Sequence, residues 1–236
     1  MKITVLGCNG PFPAANAATS GYLIEHDGKY ILMDCGAGVA GKLLQYIQPS
    51  RLEAVLFSHL HFDHMSDVAV LGYWFEVNSG VLPVYIPAEE KTYLRELVEK
   101  QKKLEVHEHQ DAYELAGIRI ETSPVNHPVA CRALRLTAGG KTFVFTGDTN
   151  ECATLPAFCR DADLIMADSA FPNEIWAPEK PHMSPALCAK LAAQANAKQL
   201  CLTHMNPSVA PEKLVAQAKE IFPNTFSAYP GLTIEL

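Results

Sequence analysis

Residues 59–64 read His-Leu-His-Phe-Asp-His, three imidazoles and a carboxylate in six positions, directly after the strand-like apolar run "AVLF". Such donors suit a divalent cation, Zn²⁺ first, with Mn²⁺ or Fe as alternatives; the motif has no thiolate that would favour a softer metal. The spacing narrows the geometry. On a helix, residues two apart point to nearly opposite sides, whereas in an extended segment they point the same way. His59 and His61 therefore suit one ion if the strand continues that far. Asp63 and His64 are adjacent, and a turn after Phe62 can direct both towards a second ion.

Each ion needs further ligands, with one position left for water or substrate. Four apolar runs lead into candidates: "AVLFS" into His59, "IETSPVN" into His127, "TFVFTG" into Asp148 and "LCLT" into His204. Binding residues of layered α/β proteins gather on loops at one end of the sheet, so one convergent site is expected. His127 can complete the first ion's set, His204 the second, and Asp148, with two carboxylate oxygens, can bridge them. Two ions about 3.5–4 Å apart polarise a substrate oxygen and hold a bridging hydroxide as nucleophile near neutral pH, and hydrolysis is the chemistry that follows. His26, His107 and His109 read as surface or loop histidines, and Met65, Trp74 and Phe75 as core.

The elements that must position these residues can be read from periodicity. Strands are expected at 2–7, 21–26, 30–35, 54–59, 118–125, 131–136, 142–147, 164–169 and 200–204, the seventh following a turn at "AGGK". Amphipathic helices are expected at 39–48, 65–76, 88–103, 184–196 and 210–221, with Ser184 as N-cap and Pro185 at the first helical position of the fourth. The early strands come as hairpins and the later ones alternate with helices, which fits a layered α/β sandwich. No repeat or linker interrupts the 236 residues, so a single domain over 1–236 is expected.

Composition excludes several classes. The net charge is −7 and no basic run is longer than Lys102-Lys103, which argues against long nucleic acid as a partner. No apolar stretch approaches the roughly 20 residues of a membrane span, and the first apolar segment is too short for a secretory signal. Seven cysteines in an odd set, with no CxxC pair, read as reduced thiols of a cytoplasmic protein.

With "HLHFDH", "DCGAG" at 34–38 and "TGDT" at 146–149, and with His127, Asp148 and His204 following in order, the chain resembles the metallo-β-lactamase superfamily. The resemblance covers nearly the whole chain. It implies a four-layer αββα sandwich and a dinuclear metal-dependent hydrolase. Metallo-β-lactamases proper usually have a cysteine where this chain has Asp148, flavodiiron oxidoreductases a glutamate where it has His61, and glyoxalase II-like enzymes a C-terminal helical domain for which little chain remains. The stretch 163–204 is similar to the ribonuclease Z branch and its small phosphodiesterase relatives. By that resemblance His182, in "HMS", protonates the leaving oxygen of a phosphodiester and Asp168 orients it, an Asp standing where the branch usually has Glu. A helix start lowers an imidazole's pKa and a nearby carboxylate raises it, so a value near neutrality is expected.

Ribonuclease Z commonly carries a long substrate arm between the ligands matched by His127 and Asp148, where this chain has only 20 residues. A small or cyclic phosphodiester or nucleotide is therefore the expected substrate. Three alternatives stay open: tRNA 3′ processing, another hydrolase such as a lactonase or thioesterase, and a metal-bound sensor without turnover. Dimers are common among relatives, so a homodimer is admitted. Asp34 is expected to hold the histidine loop from behind. The small-residue loop 7–21 borders the pocket, with Ser20 or backbone N–H groups as candidate phosphate contacts.

Overall fold

The computed structural model describes residues 1–88 and 91–236. Among them, two seven-stranded sheets lie face to face. The first runs in chain order through β1 (Lys2–Gly7), β2 (Gly21–His26), β3 (Lys29–Met33), β4 (Leu52–Leu56), β5 (Leu82–Ile86) and β6 (Leu104–Glu108). The second continues through β7 (Ala112–Leu115), β8 (Ile118–Pro124), β9 (Arg132–Ala138), β10 (Lys141–Phe145), β11 (Leu164–Asp168), β12 (Leu200–Thr203) and β13 (Thr225–Ser227). A last strand, β14 (Thr233–Glu235), returns to pair with β1, Ile234 opposite Ile3. Each sheet begins antiparallel and turns parallel, from β3 to β6 in the first and from β10 to β13 in the second.

Alternation explains the layering. Ile31 and Met33 face the core between the sheets, whereas Leu32 joins a separate apolar cluster on the outer side with Val39, Leu43, Leu71 and Phe75. Covered on both faces, β3 and β4 carry near-continuous apolar sequence. Helices α1 (Val39–Leu43), α2 (Phe62–Met65), α3 (Val68–Asn78) and α4 (Tyr93–Glu99) lie along the first sheet; α5 (Leu155–Phe158), α6 (Pro185–Gln194) and α7 (Pro211–Lys219) lie along the second. This is the expected αββα sandwich. At the end of the inner core, the Tyr22 hydroxyl meets Thr203 Oγ1 across the sheets at 2.6 Å, and its ring lies 5.1 Å from that of Phe145.

Several expected bounds change. The helix expected at 65–76 is two pieces, because Asp67 N–H donates to Cys35 O rather than continuing the helical ladder. That expected at 39–48 stops at Leu43, and that at 88–103 is ordered as helix over Tyr93–Glu99, residues 89 and 90 lying outside the described residues. Ser184 is the N-cap of α6, but its side chain makes no capping bond; the Asn173 side chain accepts the Ala186 N–H instead. The "AGGK" turn forms as expected, with Gly139 and Gly140 both in the left-handed region and Ala138 paired with Lys141.

Candidate metal centre

The candidate ligands sit on loops leaving the carboxyl ends of strands β4, β8, β10 and β12, most of them a few residues past the strand end. β4 stops at Leu56, β8 at Pro124 and β10 at Phe145, so His59, His127 and Asp148 each stand three residues beyond a strand. Only His204 follows its strand, β12, directly, and its φ of 52° turns the chain sharply into the site. His59 and His61 thus lie on an irregular segment rather than on a strand continuation. His61 keeps an extended backbone as the residue before α2, and the turn after Phe62 is the first turn of that helix.

Two donor groups result, joined at Asp148. In the first, His61 Nδ1 lies 3.0 Å from His59 Nε2 and 3.2 Å from His127 Nε2, while Asp148 Oδ2 is 3.6 Å from His59 Nε2. In the second, His204 Nε2 is 3.0 Å from Asp63 Oδ2 and 3.3 Å from Asp148 Oδ2, and His64 Nε2 is 3.3 Å from Asp148 Oδ1. Within each group the donor atoms lie within 4.8 Å of one another. Tetrahedral donors bound at 2.0–2.1 Å to one ion stand about 3.3 Å apart, so the spacing fits a first-row divalent cation. Buried polar atoms give the same answer: His64 Nε2 and Asp148 Oδ1 have no hydrogen-bond partner. A cation in the second group would satisfy both.

The far nitrogens are held from outside, which fixes tautomer and ring orientation. His64 Nδ1 meets Asp34 Oδ2 at 2.7 Å, His59 Nδ1 meets Ser58 Oγ at 3.1 Å, and His127 Nδ1–H donates to Pro181 O at 3.2 Å. Asp34, buried and left-handed at φ 54°, also accepts the Ser58 N–H and hydroxyl, as expected of a residue holding the histidine loop. Burial holds the His59, His61 and His127 imidazoles below the ordinary value. Burial alone would raise Asp148, but His204, His64 and His59 around it hold its carboxyl well below the usual carboxylate range.

Asp168, at the end of β11, is a shared support. Its Oδ2 meets His182 Nδ1 at 2.7 Å and accepts the Thr149 N–H at 3.0 Å, and its Oδ1 lies 3.3 Å from His204 Nδ1. The Asp is therefore long enough to reach His182. Burial lowers the His182 pKa, but Asp168 outweighs it, and the imidazole stands above its ordinary value rather than balanced near it.

Other expectations change. His109 is not a surface residue: it is buried, donates from Nε2 to Phe57 O at 3.0 Å and takes a 2.8 Å bond between Nδ1 and the Tyr113 hydroxyl. Ser20 is fully buried and its N–H donates to Asp63 O, so its backbone props the ligand loop. Gly10 carries no signal in the sequence, yet a Cβ there would lie 2.0 Å from His204 Nε2. Only a glycine lets the 7–21 loop pass so close to that ring.

Residues 29–205 match the beta-lactamase superfamily domain. The chain belongs to that superfamily and is a metal-dependent hydrolase. It is 34% identical over 229 residues to the probable metallo-hydrolase YhfI of Bacillus subtilis, 94% of each chain being covered. The crystal structure of YhfI superposes with a TM-score of 0.93 at 32% identity, over 99% of this chain and 98% of that one. A ribonuclease Z of Haloferax volcanii is 26% identical over an alignment of 301 residues covering 100% of this chain and 95% of the relative. A diphosphatase of the PhnP family shares the fold, with a TM-score of 0.76 at 20% identity, over 100% of this chain and 97% of that one.

Proposed function

We propose that the chain is a dinuclear phosphodiesterase acting on a small or cyclic phosphodiester. The first ion would be held by His59, His61, His127 and Asp148, the second by Asp63, His64, Asp148 and His204. Zinc suits the donor set best, with Mn²⁺ or Fe as the alternatives. Two such ions, when bound, polarise the phosphoryl oxygen and bring water within reach of deprotonation near neutral pH.

The observation that carries this reading is the His182–Asp168 pair beside the cluster, with His182 Nδ1 2.7 Å from Asp168 and 3.7 Å from Asp148. With Nδ1 engaged, Nε2 is the nitrogen left to give a proton to a departing oxygen. Asp168 fixes the ring and stabilises the imidazolium before transfer. The departing alkoxide of a phosphodiester takes such a proton, whereas a thioester's thiolate leaves without one; a lactone's alkoxide would use it too, so the substrate test below has to separate lactones from diesters.

Small size is supported by what is missing. The ribonuclease Z alignment runs to 301 positions against 236 residues here, so that relative carries segments this chain lacks. Ala138 and Lys141 meet across a two-residue turn where an arm would otherwise extend. Seven free cysteines, six of them buried, favour the cytoplasm, and among the described residues no helix is long and apolar enough to cross a membrane.

The test is hydrolysis by zinc-loaded protein. It should cleave bis(p-nitrophenyl) phosphate, and His182→Ala should lose about 10²–10⁴-fold on a 2′,3′-cyclic nucleotide, whose alkoxide leaves poorly, but far less on the nitrophenyl ester. Turnover of lactones or thioesters without diesters overturns the assignment. Tight ligand binding without turnover under any divalent metal would favour a sensor.

A homodimer is proposed through α3. Val70, Tyr73 and Val77 recur at i, i+3 and i+7 and are exposed, Tyr73 at 67% and Val77 at 70%. Phe62, just before α3, and Val81, just after it, are exposed as well, and the five side chains together offer roughly 500 Å² of surface per copy, or about 1,000 Å² for a pair, enough for a modest specific interface. No Lys or Arg occurs on α3 or elsewhere between Arg51 and Lys91, so α3 itself offers no cation to an anionic lipid surface. Light scattering should give twice 25.8 kDa for the native chain and half of that for Tyr73→Glu. A monomer at micromolar concentration would overturn it.

A further inference from the structure

The segment that delivers His182, "WAPEKPH" over 176–182, has no strand partner, and Pro178 and Pro181 have no N–H to offer one. Its carbonyls are met instead by side chains from elsewhere. Asn150, two residues beyond Asp148 and 4% exposed, donates both amide protons to it, to Pro178 O at 3.0 Å and to Lys180 O at 2.6 Å. The amide's orientation is unambiguous, since a flipped amide would set its oxygen against two carbonyl oxygens. Its own oxygen accepts the Glu151 N–H at 2.7 Å, and its backbone N–H donates to Asn126 O at 3.0 Å, one residue before His127. The same segment's Pro181 carbonyl accepts from His127 Nδ1, and Trp176 Nε1 donates to His182 O at 3.1 Å.

One buried amide thus ties three loops: the one carrying Asp148, the one carrying His127, and the one carrying His182. We infer that Asn150 is a positioning residue that sets the distance between His182 and the metal cluster and holds the Pro181 carbonyl where it orients His127. It touches neither substrate nor metal. Its effect is on placement: without its two bonds, nothing else on the Asp148 loop holds the Pro178–Lys180 turn, and His182 can drift from a departing oxygen while Asp148 stays fixed. A shift of about 1 Å is enough to cost roughly two orders of magnitude in rate.

The inference rests on His182 as proton donor, and two readouts keep the failures apart. Asn150→Ala in the full zinc-loaded chain should lose about 10–100-fold in kcat on a 2′,3′-cyclic nucleotide with a smaller change in KM, and much less on bis(p-nitrophenyl) phosphate. In a His182→Ala background the same substitution should add almost nothing, because the group it positions is gone. Independently of turnover, competition with a chromophoric chelator should show zinc held about 10–100-fold more weakly, through the loosened His127. Asn150→Asp should do worse than Ala, setting a buried carboxylate against two carbonyls. If Asn150→Ala does not fold, Asn150→Ser, which keeps an acceptor for the Glu151 N–H, gives the same readouts. Equal losses on both esters with full additivity against His182→Ala, or unchanged zinc affinity, would overturn the inference. If instead His182→Ala spares the cyclic nucleotide, the acid reading falls, and zinc affinity alone decides for Asn150.

Discussion

The two halves of the candidate metal centre are built differently. The half from the first sheet is one short loop, 57–67, pinned by backbone bonds on every side: Phe57 N to Tyr85 O, Arg132 N to Ser58 O, Ser20 N to Asp63 O and Cys35 N to His64 O. Beneath it lies the buried Asp34, answered by Ser58 and His64. The half from the second sheet gathers His127, Asp148, His182 and His204 from four separate loops, and 176–182 is held mainly by side chains such as Asn150 and Trp176. A contiguous ligand set can be fixed by local backbone pairing, whereas a dispersed one must be cross-tied through side chains. The first half should therefore fail by losing stability and metal, the second by losing rate together with metal while the fold keeps its stability.

The sharpest way to break this division is at the residue both halves share. Asp148→Ala removes a donor from each ion group at once and leaves His64 Nε2 and His204 Nε2 without their bridging carboxylate. Diester hydrolysis should fall more than about 10⁴-fold and zinc content should drop, since both electrostatic and positioning contributions go together. A variant that keeps two zinc ions per chain by elemental analysis would refute the bridging role.

A smaller effect, confined to the first half, is expected for Asp34→Asn. It keeps the shape and the tolerance of a left-handed backbone but takes away one acceptor facing His64 Nδ1 or Ser58. We expect a loss of about 3 kcal/mol in the metal-free chain by denaturant unfolding, and zinc held about 10–100-fold more weakly. Loss of rate with stability and affinity unchanged would contradict the division between the halves.

The same contrast explains what the sequence reveals. The hexapeptide is legible because its ligands are adjacent and their i, i+2 spacing has geometric content before any fold is known. His127, Asp148 and His204 are legible because each lies at or just beyond the end of a strand that periodicity reveals. Asp168 and His182 have no such local signal and rest on the family resemblance. Asn150 and Gly10 are silent in sequence, since one is defined by carbonyls 28 and 30 residues away and the other by a ring 194 positions on. The strands that periodicity does not reveal have physical reasons. In β5 a proline interrupts the run, and β6, β7, β13 and β14 are short, partly exposed strands at the sheet edges, β6 and β7 with Glu or His between their apolar residues.

His109 offers the gentlest probe of the first half. Its Nε2–H supports Phe57 O, the carbonyl just before the ligand loop, and it is buried beside Tyr113. Burial lowers its pKa from 6.5 to about 4. Between those values the unfolded chain takes up a proton and the folded chain does not, so this contribution to stability is fully present above pH 6.5 and is lost as pH falls towards 4. From pH 7 to pH 5 the loss should be about 2 kcal/mol. Metal ligands titrate over the same range, so the measurement is a difference: urea unfolding of the native chain and of His109→Gln at both pH values. Glutamine can donate to Phe57 O but does not ionise, and its curve should be flatter by that amount. Parallel curves would mean that His109 takes up its proton as readily in the folded chain as in the unfolded one, against its burial behind the ligand loop.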